Sequence, residues 1–112
     1  MKLNESNETV EYAGHDIVNI LKEIDYMLIS LHRMGSYYAD KGEESSRDYE
    51  KETTDFIDET MMCDRLAAIR AKLSEAFDSY LGDDDMDDLE RACMDIDYWS
   101  SPGDRNKQRW VL

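Results

Sequence analysis

Between Val10 and Tyr38 the apolar side chains fall at Val10, Ala13, Ile17, Ile20, Ile24, Met27, Leu31, Met34 and Tyr38, alternating by three and four residues. A helix places such positions on one face, because each turn of about 3.6 residues brings every third or fourth side chain back to the same stripe, whereas a strand brings back every second. Leu21 and Leu28 widen the stripe on one flank. The pattern predicts a helix over residues 10–39. Its start falls anywhere between Thr9 and His15, since Gly14 weakens the first turn. Asp16 near that start complements the positive end of the helix dipole. Residues 1–9 show no period and read as a flexible arm.

The stripe stops at Ala39-Asp40-Lys41-Gly42, where Gly42 can supply a left-handed cap, and Ser45 with Asp48 resembles an opening cap for the next helix. That second helix is expected over 46–80, with neither proline nor glycine inside it and an apolar face of Tyr49, Phe56, Cys63, Leu66, Ile69, Leu73, Phe77 and Tyr80. At 1.5 Å per residue it would measure roughly 50 Å. Thr53 and Thr60 stand where a tight core prefers larger apolar groups, which points to a kink, an exposed extension or a partner surface. Gly82 marks a second stop. One of Asp83, Asp84 and Asp85 is then expected to cap a third helix over 84–99, with Met86, Leu89, Cys93 and Ile96 on one face. Ser100-Ser101-Pro102-Gly103 ends it, and residues 100–112 form a tail that reverses the charge.

A chain of 112 residues suits one helical domain, here residues 10–99. The expected fold is all-α: a three-helix assembly built on a long antiparallel helical hairpin. A homodimer could bury any apolar face that the third helix leaves uncovered.

Asp and Glu number 27 against 13 Lys and Arg, a net charge of -14. A field of that sign repels nucleic acid phosphates and anionic membranes and attracts basic proteins or cations, which excludes direct nucleic acid binding. No run approaches the roughly 18 apolar residues of a membrane span, and the first residues lack a secretory leader. A cytoplasmic location is therefore expected, with Cys63 and Cys93 as reduced thiols inside the core.

The densest local feature is Asp83-Asp84-Asp85-Met86-Asp87-Asp88-Leu89-Glu90, followed by Asp95 and opposed by Arg91. With Glu43, Glu44, Asp48, Asp55 and Asp58 it forms the expected contact set for a basic partner. Carboxylates arrayed along a helical rod can imitate phosphates and occupy the basic groove of a nuclease or other nucleic-acid-binding protein. Inhibitors of restriction or RNA-guided nucleases, and immunity proteins against nuclease toxins, offer a functional analogy. The expected function is thus noncatalytic inhibition by a nucleic-acid mimic, with charge complementarity speeding and selecting the encounter.

Two alternatives use other features. A structural or regulatory adaptor would bind another helical protein through the apolar stripe, its acidity serving solubility. A metal-dependent nucleotide hydrolase would use carboxylate pairs one turn apart, such as Asp55 with Glu59 or Asp84 with Asp88, but no basic cluster accompanies these pairs to hold phosphates. Asp83, Asp85 and Asp87 match alternating positions of a calcium loop, yet Asp88 replaces its turn glycine and Met94 its bidentate Glu. His15 and His32, about 25 Å apart in a straight helix, cannot share a metal within one subunit. No cofactor is expected. Among the aromatics, Tyr38 and Trp99 are expected to close the core, and Tyr37, Tyr98 and Trp110 to face a partner.

Overall fold

The computed structural model describes residues 2–103 and Leu112, and among these residues every regular element is helical. Four α-helices occur in order: α1 Gly14–Ala39, α2 Ser46–Glu59, α3 Met62–Ser74 and α4 Asp88–Cys93. Short 3-10 turns lie at Glu5–Asn7 and Glu43–Ser45. Among the described residues, no helix is long and apolar enough to cross a membrane. The described chain divides into two units, Glu11–Ala76 and a second that joins residues 2–10 to 77–103.

In the unit Glu11–Ala76, α1 packs on α2 and α3. Its contacts descend α1 as they advance along the other two helices. Tyr38 meets Tyr49 and Tyr26 meets Phe56, with ring centres 5.9 and 5.7 Å apart. Farther along, Glu23 accepts a hydrogen bond from Arg65 at 2.7 Å, and the Tyr12 hydroxyl donates to the Leu73 carbonyl at 2.8 Å. Ile20 and Met27, one heptad apart on α1, are the buried apolar residues. Full burial of one such side chain contributes about 1.5–3 kcal/mol, so this core is thin and half-buried neighbours such as Leu31, Met34 and Leu73 must share the load.

α1 starts at Gly14 with Asp16 in its first turn, inside the expected window. It ends at Ala39, and Gly42 takes φ 84 and ψ 177, a positive-φ turn but not the left-handed helical cap expected of it. Ser45 occupies the position before α2, yet its hydroxyl donates backward to the Gly42 carbonyl at 2.7 Å and does not cap the helix.

The helix expected over 46–80 is instead two helices. Thr60 folds its hydroxyl back onto the Phe56 carbonyl, and its N–H also bonds there at 3.1 Å. Met61 then adopts φ 55 and ψ 48, a left-handed conformation costing about 1–2 kcal/mol for a residue with a Cβ. Arg65 Nε donates to the Thr60 carbonyl at 2.8 Å, satisfying an acceptor that the break leaves outside the helix ladder. Thr60 therefore marks a stop, and no glycine announces it. α3 ends at Ser74, short of Tyr80.

In the second unit, the expected helix over 84–99 shrinks to Asp88–Cys93. Its cap is Asp87, not Asp83, Asp84 or Asp85: the Asp87 carboxylate accepts from the Glu90 N–H at 2.8 Å, and the Glu90 carboxylate accepts from the Asp87 N–H at 3.3 Å. Ile96 and Trp99 thus lie beyond the helix, and Trp99 is 69% exposed and does not close a core. Residues 4–8, read from sequence as part of an arm, carry the first 3-10 turn and bury Asn7. Gly82 is not a left-handed cap, because its φ is not positive. A Cβ there would lie 2.7 Å from Arg91 Nη2, so glycine lets that guanidinium close over the loop.

Candidate functional site

The expected acidic contact set falls into two groups with opposite surroundings. Asp88 is 2% exposed. Its carboxylate accepts from the Asn4 N–H at 2.7 Å, Asn7 Nδ2 at 2.9 Å and Arg91 Nη1 at 3.0 Å. Asp84 takes both prongs of Arg91, from Nε and Nη2, each at 2.7 Å, and Arg91 Nη2 also reaches the Met86 carbonyl at 3.0 Å. Planar, bidentate pairing of this kind is what an arginine fork provides. Asn7 completes the knot by accepting the Asp78 N–H at 2.9 Å, while Ser6 donates to the Asp78 carboxylate.

These contacts set the local electrostatics. Hydrogen bonding from Arg91 holds the Asp84 carboxyl down to about 2, and hydrogen bonds from Asn7 first, then Asn4, lower that of Asp88. Arg91 is raised in turn, chiefly by its bond to Asp84. Four residues of the expected contact set, Asp84, Asp87, Asp88 and Glu90, are thus engaged inside this unit. Asp83, Asp85 and Asp95 remain exposed, Asp85 with a positive φ of 62. The Asp84–Asp88 pair considered for metal converges on Arg91.

α2 carries the other group. Asp48, Glu52, Asp55 and Glu59 recur at intervals of four, three and four residues, which places them on one face about 4.5–6 Å apart along the axis. Asp48, Glu52 and Glu59 are exposed, and Asp55 is half-buried beside Lys51, whose ammonium lies 2.5 Å from it. Hydrogen bonding to Asp55 raises the Lys51 ammonium above its usual value. Asp58, also exposed, flanks the face, and exposed Glu43 and Glu44 precede it in the second 3-10 turn. Glu52 and Glu59 were missing from the expected set, although the helical period reads them directly from the sequence. At the head of the face, burial first and then Glu52 and Asp48 push the Tyr38 hydroxyl above its usual value.

The acidity is segregated between neighbouring helices. α2 holds six carboxylates against Arg47 and Lys51, whereas α3 holds Arg65, Arg70 and Lys72 against Asp64. A groove of about 600 Å³ between α1 and α3 has Ile20, Met61 and Ile69 in its lining. The charges along it pair across the two helices, Arg65 with Glu23 at 2.7 Å and Lys72 with Asp16 at 3.6 Å.

The remaining expected residues have these placements. Cys63 is an exposed free thiol, not a core one, because the apolar stripe shifts its phase where Thr60 and Met61 break the helix; Cys93 is a half-buried free thiol. His15 and His32 are exposed, with His15 Nε2 3.3 Å from Asp16. Tyr37, Tyr38 and Tyr49 come together at the first turn, and Lys41 sits 4.4 Å over the Tyr37 ring. Tyr98 is exposed, and Trp110 lies outside the described residues. Among the described residues, no three His, Cys, Asp or Glu side chains form a group able to hold a metal ion.

No protein-family model matches the chain, and searches of curated proteins and of solved structures likewise return no match.

Proposed function

We propose that the protein is a noncatalytic inhibitor that occupies the basic surface of a nuclease or other nucleic-acid-binding protein, presenting the α2 carboxylates in place of phosphates. The observation that carries this reading is the line Asp48, Glu52, Asp55 and Glu59, exposed except at half-buried Asp55 and countered on its own helix by Lys51 and Arg47. Regular spacing on a rigid helix fixes the charges before the encounter, so little ordering cost falls on binding. The net charge of -14 adds long-range attraction to a basic partner. Asp58, Glu43 and Glu44 extend the contact, whereas Asp84, Asp87, Asp88 and Glu90 serve the protein's own fold. Free thiols at Cys63 and Cys93 support a reducing, cytoplasmic setting.

An adaptor reading draws on another observation, the exposed apolar side chains of α1. Salt separates the two, since screening weakens a contact between opposite charges far more than an apolar one. The test passes a native lysate over the immobilised protein and over its Asp48→Asn, Glu52→Gln, Asp55→Asn, Glu59→Gln variant. Retention of basic nucleic-acid-binding proteins, displaced by salt and by competing nucleic acid and reduced at least about tenfold by the variant, supports the inhibitor. Equal retention by both proteins at high salt overturns it.

A further inference from the structure

We propose that the protein pairs with a second copy of itself through the outward face of α1, antiparallel and twofold-symmetric about Ile24. The face that α1 turns toward α2 and α3 buries Ile20 and Met27. Away from it, Val18, Leu21 and Leu28 remain 50, 52 and 58% exposed, with Ile24 and Ile29 close to 40%. At about 100° per residue these five side chains share an arc of roughly 140°, which also holds exposed Asp25 between Leu21 and Val18. An apolar face of this kind on a charged protein marks an interaction surface.

The order of residues identifies the occupant. A twofold interface joins a patch to itself, so a helix crossing its own copy in reverse needs a sequence that complements its own reversal. α1 has that property about Ile24: Val18 meets Ile29 of the second copy, Leu21 meets Leu28, and Ile24 meets Ile24. The charges follow the same symmetry, because Lys22 then meets Asp25 of the second copy, and Asp25 meets Lys22. Both are exposed, and among the described residues neither forms an ion pair within its own chain. A parallel pairing would place Lys22 and Asp25 on opposite sides of the seam from their counterparts. α1 is also where two strongly acidic chains can approach, holding Lys22 and Arg33 against Asp16, Glu23 and Asp25. Screening by salt should tighten the pair, since the whole-chain repulsion outweighs two exposed ion pairs.

Sedimentation equilibrium of the full chain, with helix content checked by circular dichroism, tests this through charge reversal. The wild type is expected to form a dimer. Lys22→Asp alone and Asp25→Lys alone should each weaken it about tenfold or more by setting like charges together. An equimolar mixture of the two variants should recover a one-to-one dimer, and the double variant should pair with itself again. A monomeric wild type, as expected if a different helical protein covers the face, overturns the proposal. So do single variants that dimerise as tightly as wild type, or a mixture that restores nothing.

Discussion

Asp88 is almost wholly buried and accepts three hydrogen bonds, while Asp48 on α2 stands in solvent with no ion pair among the described residues. The residue type is the same, and both belong to acidic runs in the sequence. What separates them is the neighbourhood. Residues 82–93 form a tight loop and a helix of about one and a half turns, which bring Arg91 and the asparagines of residues 4–7 within reach of the carboxylates. α2 is one continuous helix whose acids are exposed apart from half-buried Asp55, the carboxylate that Lys51 of the same helix meets. A carboxylate that satisfies buried donors is part of the fold, whereas one that repels its helical neighbours is available to a partner.

The largest expected effect is therefore removal of Asp88. Asp88→Ala deprives the Asn4 N–H, the Asn7 amide and one Arg91 nitrogen of their acceptor at a site closed to water. Amide hydrogen exchange over residues 4–8 and 88–93 should speed up on the order of tenfold or more. Asp88→Asn, which keeps an acceptor oxygen but loses the charge, should fall between alanine and wild type. Unchanged exchange in both variants would dissolve the distinction between the two groups of acids.

Acid should break the same knot without mutation. Both Asp84 and Asp88 are more acidic in the folded protein than their ordinary value of 3.8. A carboxyl lowered by folding contributes stability above its unfolded value, and that contribution is lost as pH falls through the folded one. The window for Asp84 thus runs from about 4 down to about 2. The Arg91 Nε–H resonance should stay protected above this window and exchange freely at its lower end. Loss of that protection already at pH 6 would show that the Asp84 fork does not hold in solution.

The contrast was only partly legible in the sequence. Periodicity carried α1, because nine apolar positions in steps of three and four leave no other regular structure. It could not reveal the break at Met61, where a side-chain hydroxyl and a strained non-glycine residue end the helix that an uninterrupted sequence seemed to continue. Thr60 itself was the visible sign, a polar residue in the apolar stripe. The acidic run at 83–90 was conspicuous, but the burial of Asp88 within it depends on Asn4 and Asn7, more than 70 residues away, which no local pattern links to it. The Asp87 and Glu90 capping pair is readable from its three-residue spacing, although it lies inside a run whose charge stands out more than its capping pattern.

The smallest effect has the opposite sign and lies on α2. Glu59 is the last residue of that helix, beside Asp58 and with no basic residue in the final turn. Its charge faces the negative end of the helix dipole and the like charge of Asp55 one turn earlier, each unfavourable by a few tenths of a kcal/mol at an exposed site. Glu59→Gln removes both and keeps the side chain's length and helix preference, while the Lys51–Asp55 pair stays in place. Urea unfolding should therefore show a gain of about 0.5 kcal/mol that shrinks as salt is added. A loss of stability would mean that Glu59 serves the fold as Asp88 does. A gain alongside weaker retention of basic proteins would mean that the carboxylate is kept for a partner at the expense of the helix that carries it.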